Sequence, residues 1–218
     1  MWFLGPVSED TPAGPPSYPS WPNPGRRNLP IRISTPTNNA GARAAAHLSG
    51  FPGAKASQHD PIQPVRPPEG APNVVVVLVD DMGFGASSPY GGPCEMPTAE
   101  RLADGGLRYS RFHVTALCSP TRQALMTGRN HHSVGMGVTS EMSTLEPGYT
   151  GFRPSSAATM AQILSGNGYA TAAFGKWHQT PPVEVTQSGP FHRWPTGEGF
   201  GTFYGFMGAE MNHWYPQL

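Results

Sequence analysis

The amino-acid sequence predicts an α/β fold with a mostly parallel central sheet flanked by helices. Two observations carry that expectation. Residues 73–81, NVVVVLVDD, are a continuous β-branched run without alternation, the pattern of a strand covered on both faces in a parallel sheet. Farther along, stretches with helix-start and helix-stop residues alternate with short β-rich runs, and strand, helix, strand in repeated order means α/β.

Taken in order, residues 1–72 read as a Pro/Gly-rich arm. More than half of the 26 prolines fall before Val74, and in TPAGPPSYPSWPNPG and HDPIQPVRPPEG the apolar residues are too scattered to offset the entropy of ordering a chain. The arm is therefore expected to be disordered. After the first strand, MPTAERLADGG has Pro97 placed for a first helical turn and Gly105-Gly106 to end it. LRYSRFHVT, residues 107–115, reads as a second strand from its aromatic and β-branched content. In SPTRQALMTG, Ser119 suits an N-cap, Pro120 a first helical residue and Gly128 a stop, which leaves Cys118 just outside the helix. A capped helix is expected from about Ala157 to Leu164, then a Gly-Asn-Gly turn and a strand through 170–174. Residues 179–218 show no period and read as loops with a short strand.

Charge and composition exclude several classes. Fourteen basic and fourteen acidic side chains cancel, and no basic block suggests a nucleic-acid or anionic-membrane partner. The one strongly apolar run, 74–79, is far short of the roughly 20 residues that cross a bilayer. The opening MWFLGPVSED lacks the cationic start of a secretory signal. The expectation is a soluble cytoplasmic chain, in which Cys94 and Cys118 stay reduced. No feature bears on oligomeric state.

Candidate chemistry sits at element ends. Asp80 and Asp81 close the first strand, where open parallel sheets bind ligands. Adjacent carboxylates repel, so keeping both there suggests a cation, and oxygen-only ligands favour calcium or magnesium; a solvated strand-to-loop junction is the plain alternative. Arg122 lies four residues after Cys118, one helical turn along the same face. Helix dipole and guanidinium together favour negative charge at that spot, whereas a small buried cysteine before a helix is the structural alternative. His131 and His132 read as structural or exposed, because adjacent side chains point apart. His113 reads as a core histidine.

CSPTR at 118–122, ALMTGR at 124–129 and VVVVLVDDMG at 74–83 together resemble the type I sulfatases, arylsulfatase-like enzymes of the alkaline-phosphatase superfamily. The resemblance runs from about Pro72 to the end, and FGKWH at 174–178 matches the family's next element. It implies an alkaline-phosphatase-like sheet, a divalent metal with calcium expected before magnesium, and Cys118 oxidised to formylglycine by a formylglycine-generating enzyme that reads Gly128 and Arg129 among other residues. Asp80, Asp81 and the modified Cys118 would be metal ligands. Cys118, Arg122, Lys176 and His178 would form the catalytic set: Arg122 holds the formylglycine, Lys176 contacts sulfate oxygens, and His178 lies near the hydroxyl deprotonated as sulfate leaves. One hydroxyl of the hydrated aldehyde attacks sulfur and the alcohol departs; loss of the other hydroxyl's proton then expels sulfate. The expected substrate is a small-molecule sulfate ester. His213 and Tyr215 match too vaguely for a role.

The family's further metal pair, leaving-group acid and second lysine have no counterpart in this sequence. Residues 73–218 are thus expected to be the N-terminal portion of a sulfatase catalytic domain, with a sheet incomplete at the C-terminal side and doubtful activity alone. Two alternatives stand beside this reading: a phosphatase or phosphodiesterase of the same superfamily, which would use Ser or Thr as nucleophile, and a non-catalytic sulfatase-like fragment that binds anions or a partner.

Overall fold

The candidate residues lie at or past the carboxyl ends of two strands and in the first turns of a helix. The structure, a computed structural model, describes residues 2–6, 65–212 and 214–215, all within a unit made of Met1–Ser8 and Pro64–Leu218. Its strands are β1 (Trp2–Pro6), β2 (Val74–Val76), β3 (Tyr169–Lys176) and β4 (Thr202–Phe206), in the order β2-β1-β3-β4. β1 is antiparallel to β2 and to β3, while β3 and β4 are parallel. β2, β3 and β4 therefore run one way and β1 alone runs against them, so the sheet is mostly parallel in direction, as expected for this α/β fold.

β1 lies inside the stretch expected to be a disordered arm. Its backbone pairs Trp2 with Val76 on one side and Ala173 on the other, so residues 2–6 belong to the sheet. Residues 7–64 lie outside the described residues.

Three helices accompany the sheet: α1 (Pro97–Gly105), α2 (Cys118–Thr127) and α3 (Met160–Gly166). α1 starts on Pro97 and stops at Gly106 as its sequence requires. α3 is fixed by a reciprocal cap in which Thr159 accepts from the Gln162 amide and the Gln162 side chain accepts from the Thr159 amide, satisfying two of the N–H groups a helix start leaves unpaired. Asn167 and Gly168 turn the chain into β3. α3 then lies on β3, and Met126, Ala161, Ala173, Trp177 and Phe200 form the buried core, flanked by Val76, Met160, Leu164, Phe203 and Met207. Trp177 is 1% exposed and meets Phe200 edge-on, with ring centroids 5.8 Å apart.

Parallel pairing of β3 with β4 requires a long crossover, and residues 177–201 supply it through loops tied down by polar contacts. Buried Arg153 pairs with Glu198 at 2.5 Å and donates to the Ala157 carbonyl, the Thr159 hydroxyl donates to the Glu198 carbonyl at 2.6 Å, and Thr171 donates to the Gly199 carbonyl at 2.7 Å. Arg193 pairs with Glu184 at 2.5 Å and lies over the Phe152 ring. β4 approaches β3 so closely at Gly205 that a Cβ there would overlap the Gly175 carbonyl.

Two expected strands differ from observation. The run 73–81 is paired only over Val74–Val76, and Val75 and Val77 are 56% and 67% exposed rather than covered on both faces; a β-branched run signals strand propensity, but burial depends on what packs over it. Residues 107–115 form no strand. Leu107, Phe112 and Val114 are exposed, and the segment is held by single contacts, such as Arg108 donating to the Pro89 carbonyl at 3.0 Å, instead of a ladder.

Candidate active site

Cys118 is the first residue of α2, so the helix begins earlier than Ser119 and Pro120 suggest. Leu117 takes the extended N-cap position without a side-chain cap, and the Thr121 amide donates to the Leu117 carbonyl. The Ser119 hydroxyl, instead of capping its own helix, accepts from the Ser140 amide at 3.4 Å. Gly128 ends the helix in the left-handed conformation that a Cβ disfavours. Within this helix Cys118 and Arg122 share a face, as their spacing requires.

Arg122 is the hub of the site. Its guanidinium is 4% exposed, donates to the Lys176 carbonyl at 2.7 Å and lies 3.5 Å from Asp80. Its Nε is buried without a partner. A buried unpaired donor is costly, so this atom is left with unused donor capacity. Burial pushes the Arg122 pKa below its ordinary value and the Asp80 charge pulls it partly back; an arginine keeps its charge regardless.

Lys176, the last residue of β3, reaches across to Asp80 at 2.5 Å. Burial raises the Asp80 carboxyl, but the hydrogen bond and charge of Lys176, with Arg122 behind them, outweigh it and hold the group below the usual carboxylate range. Asp81 follows with φ 53, a left-handed conformation uncommon for a residue with a Cβ and frequent at functional sites. Asp80, Asp81, Cys118 and Arg122 line one cavity of about 900 Å³, together with aromatic residues that include Phe84, Tyr109 and Phe112.

His178 arrives by a different route from the one its spacing suggests. Strand geometry would put Lys176 and His178 on one side, but β3 ends at Lys176 and His178 has φ 52. The turn buries the imidazole, which is 1% exposed, and sets Nδ1 3.1 Å from Cys118 Sγ. Nε2 faces the Glu141 carboxylate at 2.7 and 2.8 Å. Glu141 is not marked by the sequence: it lies 37 residues before His178, in a short 3-10 turn, Ser140–Met142, and nothing in VTSEMS singles it out locally.

The site thus brings together Asp80, Asp81, Cys118, Arg122, Lys176 and His178. The other candidates fall elsewhere. His113 lines the cavity but is exposed, not a core histidine, since its segment forms no strand. The rings of His131 and His132 do not point apart; their centroids are 4.2 Å apart with the planes tilted by 44° at the start of a 3-10 turn, and His132 Nε2 lies 3.1 Å from the Tyr149 hydroxyl. Cys94 and Cys118 are both free thiols. Tyr215 is 83% exposed, and His213 lies outside the described residues. Among the described residues no helix is long and apolar enough to cross a membrane.

Comparison with known proteins agrees with the motifs. The chain is 34% identical over 149 residues to an uncharacterised sulfatase of Schizosaccharomyces pombe, covering 65% of this chain and 26% of that protein. It is 39% identical over 146 residues to arylsulfatase A of Bos taurus, again 65% of this chain and 26% of the relative, and 33% identical over 144 residues to an arylsulfatase of Klebsiella aerogenes, 65% of this chain and 29% of the relative. The chain spans between a quarter and a third of the length of these curated relatives. With the Sulfatase family model matching residues 72–218, and with the helix-borne Cys118 facing Arg122 and His178, the chain belongs to the sulfatase family.

Proposed function

We propose that this chain carries the nucleophile and anion-binding side of a sulfate-ester hydrolase site, with residue 118 as the attacking position. The observation that carries the proposal is the buried imidazole 3.1 Å from Cys118 Sγ, with a buried arginine one helical turn along and a lysine at a strand end that both reach Asp80. Cationic donors gathered about one carboxylate in the same neighbourhood suit the negative charge that would spread over sulfate oxygens in a transition state.

Each side chain has a task in that reaction. The Arg122 Nε and Lys176 Nζ would hold the oxygens of the bound ester and orient the sulfur toward residue 118. His178 Nδ1 would take the proton from the hydroxyl of residue 118, the general-base role for which hydrogen-bond reach is the first requirement. The aromatic wall of Phe84, Tyr109 and Phe112 would receive the apolar alcohol part of the ester. Formylglycine at 118, hydrated, supplies an attacking hydroxyl and a second hydroxyl whose deprotonation lets sulfate depart.

The donor set fits a divalent cation in kind. Asp80 and Asp81 are adjacent hard oxygen donors at a strand end and would hold calcium, or magnesium in its place, together with the oxygen of a modified residue 118. The ion supplies positive charge that favours ionisation of a neighbouring hydroxyl. Asp80 gives Oδ1 to Arg122 and Oδ2 to Lys176, so a bound ion would share these oxygens with the two cationic side chains.

Mass spectrometry of the tryptic peptide 112–122, after production with a formylglycine-generating enzyme, tests the modification. Turnover of aryl sulfate and aryl phosphate by that material tests the reaction. Aldehyde at 118 with faster sulfate turnover supports the proposal; aldehyde with preferential phosphate turnover overturns it.

A further inference from the structure

The Glu141–His178 contact extends the proposed function and rests on it. We infer that Glu141 is a positioning residue that holds the His178 imidazole as its Nε2–H tautomer, so that an unprotonated Nδ1 faces residue 118.

Both nitrogens of the ring are engaged, and on opposite sides. Nε2 lies 2.7 and 2.8 Å from the two Glu141 carboxylate oxygens, and Nδ1 lies 3.1 Å from Cys118 Sγ. An ionised carboxylate only accepts hydrogen bonds, so the nitrogen it faces must carry a proton, and in the neutral imidazole the nitrogen on the far side is left as an acceptor. Burial raises the Glu141 carboxyl, but the hydrogen bond from His178 together with a backbone hydrogen bond outweighs it and holds the group below its ordinary value. Glu141 is therefore ionised at neutral pH.

Glu141 is also anchored to the element that bears the nucleophile. The amide of its neighbour Ser140, 2% exposed, donates to the hydroxyl of Ser119, the residue after Cys118. One short turn thus fixes the carboxylate relative to the start of α2, while the His178 backbone is fixed from the other side by its amide donating to the Met207 carbonyl at 3.1 Å. The positive φ of His178 places the ring between these two anchors. A ring turned over, or protonated on Nδ1, would present a donor to residue 118 and could not take its proton. An imidazole whose tautomer is fixed by a carboxylate is a recurrent requirement of base catalysis.

Nuclear magnetic resonance of the unmodified full chain, labelled with ¹⁵N-histidine, reads this contact directly. The expected spectrum contains one downfield, slowly exchanging imidazole N–H proton that disappears in His178→Asn. Glu141→Ala is expected to abolish it, and Glu141→Gln, which keeps an acceptor without the charge, to retain it with a smaller downfield shift. The Glu141 side chain is 45% exposed, so neither substitution removes a core contact. Absence of the proton from the unsubstituted chain, or its persistence in Glu141→Ala, overturns the inference.

A kinetic arm separates this inference from the reading beneath it. With formylglycine in place, Glu141→Ala should lower kcat for an aryl sulfate on the order of 10- to 100-fold, as loss of a carboxylate behind an imidazole commonly does, with KM changed by no more than about twofold. Turnover indifferent to Glu141→Ala sinks the positioning role alone. The N–H signature without any aryl sulfate turnover supports the positioning role and counts against the proposed function.

Discussion

Residues 74–117 and residues 118–207 contribute opposite sides of the same site and are built differently. In the first segment Ser87 is the one buried residue, α1 buries no side chain, and valines and aromatics face outward. The second contains the core around Trp177 and the buried pair Arg153–Glu198. The carboxylates Asp80 and Asp81 come from the first, whereas Arg122, Lys176, His178 and Glu141 come from the second. Arg122 and His178 are therefore set by packing, whereas Asp80 is set chiefly by its ion pairs to Arg122 and Lys176. Apolar content alone does not make a core; it needs a surface to cover it.

The two cysteines give the largest contrast between the segments. Cys94 lies exposed in the first, its amide bonded to the Ala86 carbonyl. Cys118 opens α2 beside His178. Cys118→Ala should abolish aryl sulfate turnover, and Cys94→Ala should leave most of it. Equal loss from both, measured on material whose residue 118 has been checked by mass spectrometry, would break the assignment of the chemistry to the packed segment.

Stability should divide the same way. Trp177→Ala removes a ring buried against Phe200 and Phe203 and should cost about 3–5 kcal/mol, read from urea unfolding. Phe112→Ala, at a 70% exposed side chain, should change stability by less than about 0.5 kcal/mol. Glycines sharpen the comparison further. Gly205→Ala forces a Cβ into the Gly175 carbonyl, a clash expected to cost about 1–3 kcal/mol. Gly83→Ala meets nothing within 4 Å and should be neutral or gain a few tenths of a kcal/mol through the unfolded chain. Similar penalties at both glycines would mean that the exposed segment is packed after all.

The same division explains what could be read in advance. Features carried by neighbouring letters were legible: Pro97 and Gly106 bounding α1, the Gly128 stop, and Cys118 one turn from Arg122. The run through Phe174 to His178 was recognisable as an element, but not the left-handed turn at His178 that aims its ring at Cys118. Pairings between distant segments left no local trace. Glu141 meets His178 across 37 residues, and Trp2–Pro6 joins the sheet from within a proline-rich stretch. Residues 107–115 have strand-forming side chains, yet a strand exists only where another backbone offers a ladder.

The smallest expected effect is a difference in the sign of pH dependence between the two segments. Asp80, in the first, has its carboxyl held below the ordinary 3.8 because the hydrogen bond and charge of Lys176, with Arg122, override the effect of burial. Below 3.8 the unfolded chain binds this proton first, so the stability it contributes is present above that value and lost as pH falls through the folded pKa. At 37% exposure solvent screens the pair, and the effect should stay under about 1 kcal/mol. Glu198, in the second segment, is raised above 4.5 because burial outweighs the opposing pull of Arg153. The folded chain then holds the proton to a higher pH than the unfolded chain, so its contribution is complete below 4.5 and is lost as pH rises through the folded pKa. Urea midpoints measured across pH should therefore lose part of their acid-side fall in Asp80→Asn and part of their fall above 4.5 in Glu198→Gln. Slopes altered in the same direction by both substitutions would show that the two carboxylates sit in like environments, contrary to the division between an exposed and a packed half of the site.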